Sequence, residues 1–145
     1  MYPPNPFSPR GFAGVNPPKS TTIYKDRPYT YIYNPPNGEL TGNQVLQDEV
    51  SIETDSDFNL EAWYISDFTG TFTVQLTDST GYQLQSGEIQ SAGLSQSGAD
   101  PTVFSPAHPF PAGGKIRINI TDTSGTTNPL QIAFVGTKRF RVPQQ

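Results

Sequence analysis

Cysteine is absent from this chain of 145 residues, and histidine, methionine and tryptophan occur once each. Without cysteine there is no disulfide framework, no thiolate metal site and no cysteine nucleophile. A single imidazole, His108, excludes any metal centre or proton relay that needs two, the multi-histidine site of cupin-type enzymes included. No run of apolar residues approaches the roughly 18 that a membrane span requires, and residues 1–20 hold no apolar stretch of the kind found in secretory leaders, so the expectation is a soluble chain that meets no membrane. Lysine and arginine are missing from residues 37–114, where eleven acids stand. Only 33% of the chain is hydrophobic, which leaves a core for part of the length and not for all of it.

Proline is abundant and unevenly placed. Nine of the 15 lie in the first 36 residues: Pro3, Pro4, Pro6, Pro9, Pro17, Pro18, Pro28, Pro35 and Pro36. Each fixes φ and removes an N–H, so this stretch excludes helix and central strand. We expect residues 1–36 to form an extended arm and residues 37–145 to form the folded domain. In polyproline geometry, at about 3.1 Å per residue, such an arm reaches on the order of 100 Å. It also carries five of the seven tyrosines. Disordered linkers are poor in aromatics, so the arm reads as a segment that orders by docking. Within it Tyr29, Tyr31 and Tyr33 alternate with Thr30 and Ile32, the pattern of a strand between Pro28 and Pro35.

Charge follows the same division. The arm carries Arg10, Lys19, Lys25 and Arg27 against Asp26, and residues 115–145 carry Lys115, Arg117, Lys138, Arg139 and Arg141 against Asp122. An acidic body with basic ends lacks the continuous basic face of a nucleic-acid groove. It points to basic ends that meet acidic surfaces on this chain or on a partner. The residues expected to make such contacts are Arg10, Lys19, Tyr24, Lys25, Arg27, Tyr29, Tyr31 and Tyr33 in the arm and Lys138, Arg139, Phe140 and Arg141 in the tail, where Phe140 would cover a sheet edge.

From Val45 onward short runs alternate with period two: Val50 and Ile52; Phe58, Leu60, Ala62 and Tyr64; Phe72, Val74 and Leu76; Ile116, Ile118 and Ile120; Leu130, Ile132 and Phe134. Asp78-Ser-Thr-Gly81 reads as the turn of a hairpin over residues 72–86, with residues 88–90 continuing or re-pairing beyond Gly87. Residues 91–114, rich in Ser, Gly and Pro, read as loop apart from Val103 and Phe104. No segment keeps a 3.6-residue period over ten residues. The fold class is all-β, an antiparallel β-sandwich of jelly-roll type with an extended Pro-rich N-terminal arm.

Chemistry finds little purchase. His108 lies in Ala-His-Pro-Phe-Pro with no evident orienting carboxylate or nucleophile, and reads as a packed or loop residue. Asp55-Ser-Asp57 with Glu53 has calcium-like spacing but neither the glycine nor the distal glutamate of an EF-hand loop, and reads as a turn. A glycosidase pair among the acids is a weaker account than the wet face of a strand. Asn119-Ile-Thr121 matches a glycosylation sequon and reads as strand. Trp63 and Tyr64 occupy opposite faces of one strand, one for the core and one for an outer face or interface, which keeps a glycan-binding module open. No enzymatic activity, cofactor or metal is expected.

Four segments carry a family resemblance: Val50-Ser-Ile-Glu-Thr-Asp-Ser-Asp-Phe58, Leu76-Thr-Asp-Ser-Thr-Gly81, His108-Pro-Phe-Pro-Ala-Gly-Gly114 and Ile132-Ala-Phe-Val-Gly-Thr-Lys-Arg-Phe140. Over residues 40–141 the chain resembles the jelly-roll cement or decoration proteins that stabilise the heads of tailed bacteriophages. The resemblance implies a non-enzymatic virion protein on the capsid exterior, a homotrimer or homodimer, partnered by the major capsid protein and braced over neighbouring coat subunits. The alternative is a glycan-binding sandwich of a tail fibre or other appendage.

Overall fold

The computed structural model describes residues 23–66 and 68–142. Ten strands are present among them: β1 (Ile23–Tyr33), β2 (Glu39–Leu40), β3 (Val45–Ser51), β4 (Asp57–Ser66), β5 (Phe72–Asp78), β6 (Ile89–Gln90), β7 (Thr102–Phe110), β8 (Lys115–Asp122), β9 (Asn128–Pro129) and β10 (Gln131–Val142). Asp26–Phe140 is one compact unit and holds the sandwich; Ile23–Lys25 and Arg141–Val142 belong to a second unit.

One four-stranded sheet has the order β1-β10-β4-β7, the other β3-β8-β5-β6, and β2 and β9 form a small pair. Leaving that pair aside, the eight remaining strands nest: first beside last, second beside seventh, third beside sixth, fourth beside fifth. This is an antiparallel ribbon wrapped onto itself, the jelly roll. The all-β antiparallel sandwich expected from period two is therefore the observed architecture.

Burial follows the alternation on β5 and β8. Phe72, Val74, Leu76, Ile116, Ile118 and Ile120 all face the core, and between them Thr73, Gln75, Thr77, Arg117 and Asn119 face outward. β4 departs from strict period two. Phe58 and Leu60 are buried, and so are Trp63 and Ile65, so the inward face passes from even to odd positions. The pairing with β10 shows why: Ala62 lies opposite Val135 and Leu60 opposite Gly136, leaving Glu61 as an extra residue. Such a bulge turns every later side chain over. It also brings the strands so close that a Cβ on Gly136 would stand 1.9 Å from the Asn59 carbonyl oxygen.

Two loop expectations are corrected. Residues 102–110 are a strand, β7, despite Pro106 and Pro109. β7 is the outermost strand of its sheet, where a missing N–H breaks no ladder on the open side. The return limb of the hairpin over residues 72–86 is reduced to a bridge between Thr77 and Gln83, and regular pairing resumes at β6 opposite Thr73 and Val74.

β1 is the other outer strand of that sheet, so the sandwich unit begins at Asp26, inside the segment expected as an arm. Tyr31 and Tyr33 turn inward while Thr30 and Ile32 stay exposed, the alternation anticipated for residues 29–33.

Candidate functional surfaces

The twelve residues expected to bind partners separate into three groups. Arg10 and Lys19 lie outside the described residues. Tyr31 and Tyr33 are 7% and 4% exposed and belong to the core. The Tyr33 hydroxyl donates to Asp48 Oδ2 at 2.8 Å, and the Glu53 N–H donates to the Tyr31 oxygen at 3.0 Å. These bonds join β1 to β3 and to the turn that follows it, and seal one open edge of the sandwich. Burial pushes both tyrosines above their ordinary pKa, and for Tyr33 the Asp48 carboxylate adds to the rise. Their rings are buried, whereas those of Tyr24 and Tyr29 are 44% and 38% exposed.

The basic tail also divides. On β10 the inward face reads Ile132, Phe134, Gly136 and then Lys138, so the lysine holds the last core-facing position beside Phe58. Its side chain is only 5% exposed. The ammonium pairs with Glu53 and lies 3.4 Å from Asp55 Oδ1, with the Tyr29 ring centroid at 4.0 Å and those of Tyr31 and Phe140 at 5.7 and 6.0 Å. Burial acts to lower its pKa, but the bond to Glu53 and the charges of Tyr31 and Asp55 prevail and hold it above the ordinary lysine value. The cation that fills the Glu53–Asp55 turn is thus the chain's own lysine. Asp57 accepts the Ala112 N–H at 3.0 Å, as a turn residue does. Arg139 is half exposed and pairs with Asp26 at 3.5 Å. Lys25, Arg27 and Arg141 are exposed.

His108 has an orienting carboxylate that its sequence context did not reveal. Its Nε2 lies 3.1 Å from Asp78 Oδ2, and its ring is parallel to that of Tyr82 with centroids 5.4 Å apart. Asp78 Oδ1 accepts from the Thr80 N–H, the Thr80 hydroxyl and the Tyr82 N–H at 2.6–3.0 Å. Burial alone would raise the Asp78 pKa, but these donors and His108 bring it below the usual carboxylate range. The pair joins β7 to the end of β5 and seals the second open edge. Both carboxylate oxygens serve the turn and the edge, which is a structural use.

Trp63 is 1% exposed and packs parallel to Phe134 at 6.2 Å. It is the core member of the Trp63–Tyr64 pair, and sugar stacking on its ring is closed off. Among the described residues no cluster of three His, Cys, Asp or Glu side chains could hold a metal ion. Sequence reading missed Asp122, which is 2% exposed and accepts from the Asn43 and Gly125 N–H groups at 2.8 and 2.9 Å and from the Ser124 hydroxyl at 2.7 Å. A lone acid ending an alternating strand before Ser-Gly was the available signal.

A further surface feature is a groove of about 510 Å³ on the outer face of the second sheet, lined by Gln47, Asp48 and Glu49 of β3, Arg117 and Asn119 of β8 and Thr77 of β5. Gln47 stands opposite Asn119, and Glu49 opposite Arg117, which stands opposite Thr77. Glu49 takes the Lys115 ammonium at 3.3 Å. Among the described residues the side chains of Arg117, Asn119 and Gln47 have no hydrogen-bond or ion-pair partner within the chain.

Comparison of the chain with family models, curated proteins and solved structures finds no match.

Proposed function

We propose that this protein is a capsid cement, a non-enzymatic virion component that binds the outside of an assembled shell and braces neighbouring coat subunits. The observation that carries the reading is the division of labour along the chain. The sandwich spends Tyr31, Tyr33, Trp63, His108 and Lys138 on its own edges and core, while residues 1–22 concentrate six prolines and the charges of Arg10 and Lys19 with no acid. A rigid body with a basic, proline-rich extension suits many weak contacts spread over a large assembly more than one deep site. The resemblance to phage decoration proteins agrees with this, and so does the jelly roll, although that fold hosts many functions. A protein that binds only the assembled shell stabilises it by mass action.

The test is co-sedimentation with empty shells of the particle against unassembled coat protein, using the full chain and a variant lacking residues 2–22. Binding to shells alone, reduced by the deletion, supports the reading. Equal binding to shells and free subunits, or none, rejects it. The deletion stops at residue 22 because Tyr31 and Tyr33 are core residues. A glycan-binding role loses its Trp63 platform and is not favoured by any other aromatic surface described above.

A further inference from the structure

The groove across β3, β8 and β5 is unusual in what it leaves unspent. Arg117, Asn119 and Gln47 are neighbours in register, and all three carry hydrogen-bond donors with no partner among the described residues. Thr77 adds a hydroxyl beside them, and Asp48 and Glu49 line one side with negative charge. No large apolar side chain lines the groove, so it does not suit a hydrophobic helix or the apolar centre of a protein interface. Its volume falls in the roughly 300–1,000 Å³ range of ligand sites. It calls for an extended occupant rich in acceptors, with any positive charge placed on the Glu49 side and away from Arg117.

Residues 1–22 of the same sequence have that chemistry. Six prolines remove six N–H groups and leave every carbonyl as an acceptor, and Arg10 and Lys19 are their only charged side chains. Proline-rich segments bind in extended form because little chain entropy remains to be lost. The direction of β1 points to another molecule. Tyr31 meets Glu53 and Tyr33 meets Asp48, so the C-terminal end of β1 lies beside the groove strand β3. Asp26, where the sandwich unit begins, is seven residues upstream, about 23 Å further along the strand.

We propose that a short proline-rich stretch of residues 1–22 of one copy, beside Arg10 or Lys19, occupies this groove on a second copy, with Gln47, Arg117, Asn119 and Thr77 donating to its carbonyls and Glu49 facing the adjoining basic side chain. The contact is heterologous, so repetition around an axis closes a ring. The proposal rests on the arm reading above and supplies its partner: arms that link cement copies to one another hold them as a net across the coat subunits.

The experiment uses the free protein without shells. Association is measured by sedimentation for the full chain, for a variant lacking residues 2–22, for the Gln47→Ala/Arg117→Ala/Asn119→Ala variant, and for an equimolar mixture of the two variants, with circular dichroism and urea midpoints as checks of folding. The expected result is association of the full chain, at least tenfold weaker association of either variant alone, and a one-to-one pair in the mixture, where the intact arm of one variant meets the intact groove of the other. Association of either variant like the full chain overturns the proposal. So does a mixture that stays dissociated, or a monomeric full chain, the outcome if the segment folds back onto its own groove. If the triple variant unfolds, a synthetic peptide of residues 1–22 is titrated onto the chain lacking residues 2–22: saturable binding that weakens with salt supports the proposal, and no binding overturns it. Shell co-sedimentation reports separately, so arm-dependent shell binding with no pair in the mixture rejects this inference and leaves the cement role standing.

Discussion

Lys138 shows how one side chain can change its meaning with its direction. In sequence it belongs to a basic cluster with Arg139 and Arg141; in the fold it is the terminal core-facing residue of β10, clasped by two carboxylates and aromatic rings. Replacing it with methionine keeps the stem and leaves Glu53 and Asp55 without their counter-charge. We expect a loss of about 2 kcal/mol, moderated because both carboxylates are half exposed, measured as a lower urea midpoint at pH 7. The depressed carboxylates set the acid limb of stability. Asp78 and Asp122 both titrate below the ordinary carboxylate value in the folded chain. Their contribution is complete above the unfolded value, about 3.9, and disappears as pH falls through their lowered folded values. Urea midpoints between pH 6 and pH 2 should therefore fall steeply for the native chain and less steeply for Asp122→Asn, which starts from a lower plateau. At the alkaline end Tyr31, Tyr33 and Lys138 are all raised, so their contributions hold below about pH 10 and are lost as pH climbs through their folded values.

At the level of elements, the bulge in β4 is the decisive irregularity. It lets Phe58 and Leu60 share the core with Trp63 and Ile65, and it demands glycine at position 136 on the facing strand. Gly136→Ala places a methyl group against the Asn59 carbonyl and should cost more than about 3 kcal/mol, seen as a large loss of midpoint or failure to accumulate folded protein. The outer strand β1 makes a second prediction. Removing residues 2–22 should leave the thermal midpoint within a few degrees of the full chain. Removing residues 2–36 strips Tyr31 and Tyr33 from the core, with their bonds to Asp48 and Glu53, and should lower the midpoint by well over 10 °C or abolish the transition. Equal midpoints for the two deletions would show that β1 is not part of the folding unit.

For the whole molecule, the wrapped ribbon places two outer strands beside each opening of the sandwich, and each opening is closed by a polar side-chain pair: Tyr33 with Asp48 at one, His108 with Asp78 at the other. The edge strands are blunted by proline on β7, by brevity on β6 and by Pro28 with flanking charges on β1, which guards against uncontrolled strand pairing. Under the proposed cement role, association with shells through the basic arm should weaken as salt is raised from about 50 to 500 mM, because exposed charges more than a Debye length apart no longer attract. A salt-independent binding curve would assign the affinity to apolar contact instead.

Composition and period two were enough to determine the class of fold, because alternation records which face of each strand meets the core, and this holds for β5 and β8 along their whole length. The same alternation, carried on from Ile132 and Phe134, runs to Lys138, a signal masked in the sequence by its basic neighbours Arg139 and Arg141, with which it reads as a partner-binding cluster. What sequence could not express is pairing between distant strands. Glu61 becomes a bulge only because of its neighbours on β10, Asp78 becomes the partner of His108 only when β5 and β7 end side by side, and Pro106 and Pro109 sit in a strand only because that strand is an edge. Residue types determine which groups need partners; only the tertiary structure decides which partners arrive, since the contacts that satisfy a buried charge or a strand edge come from anywhere along the chain.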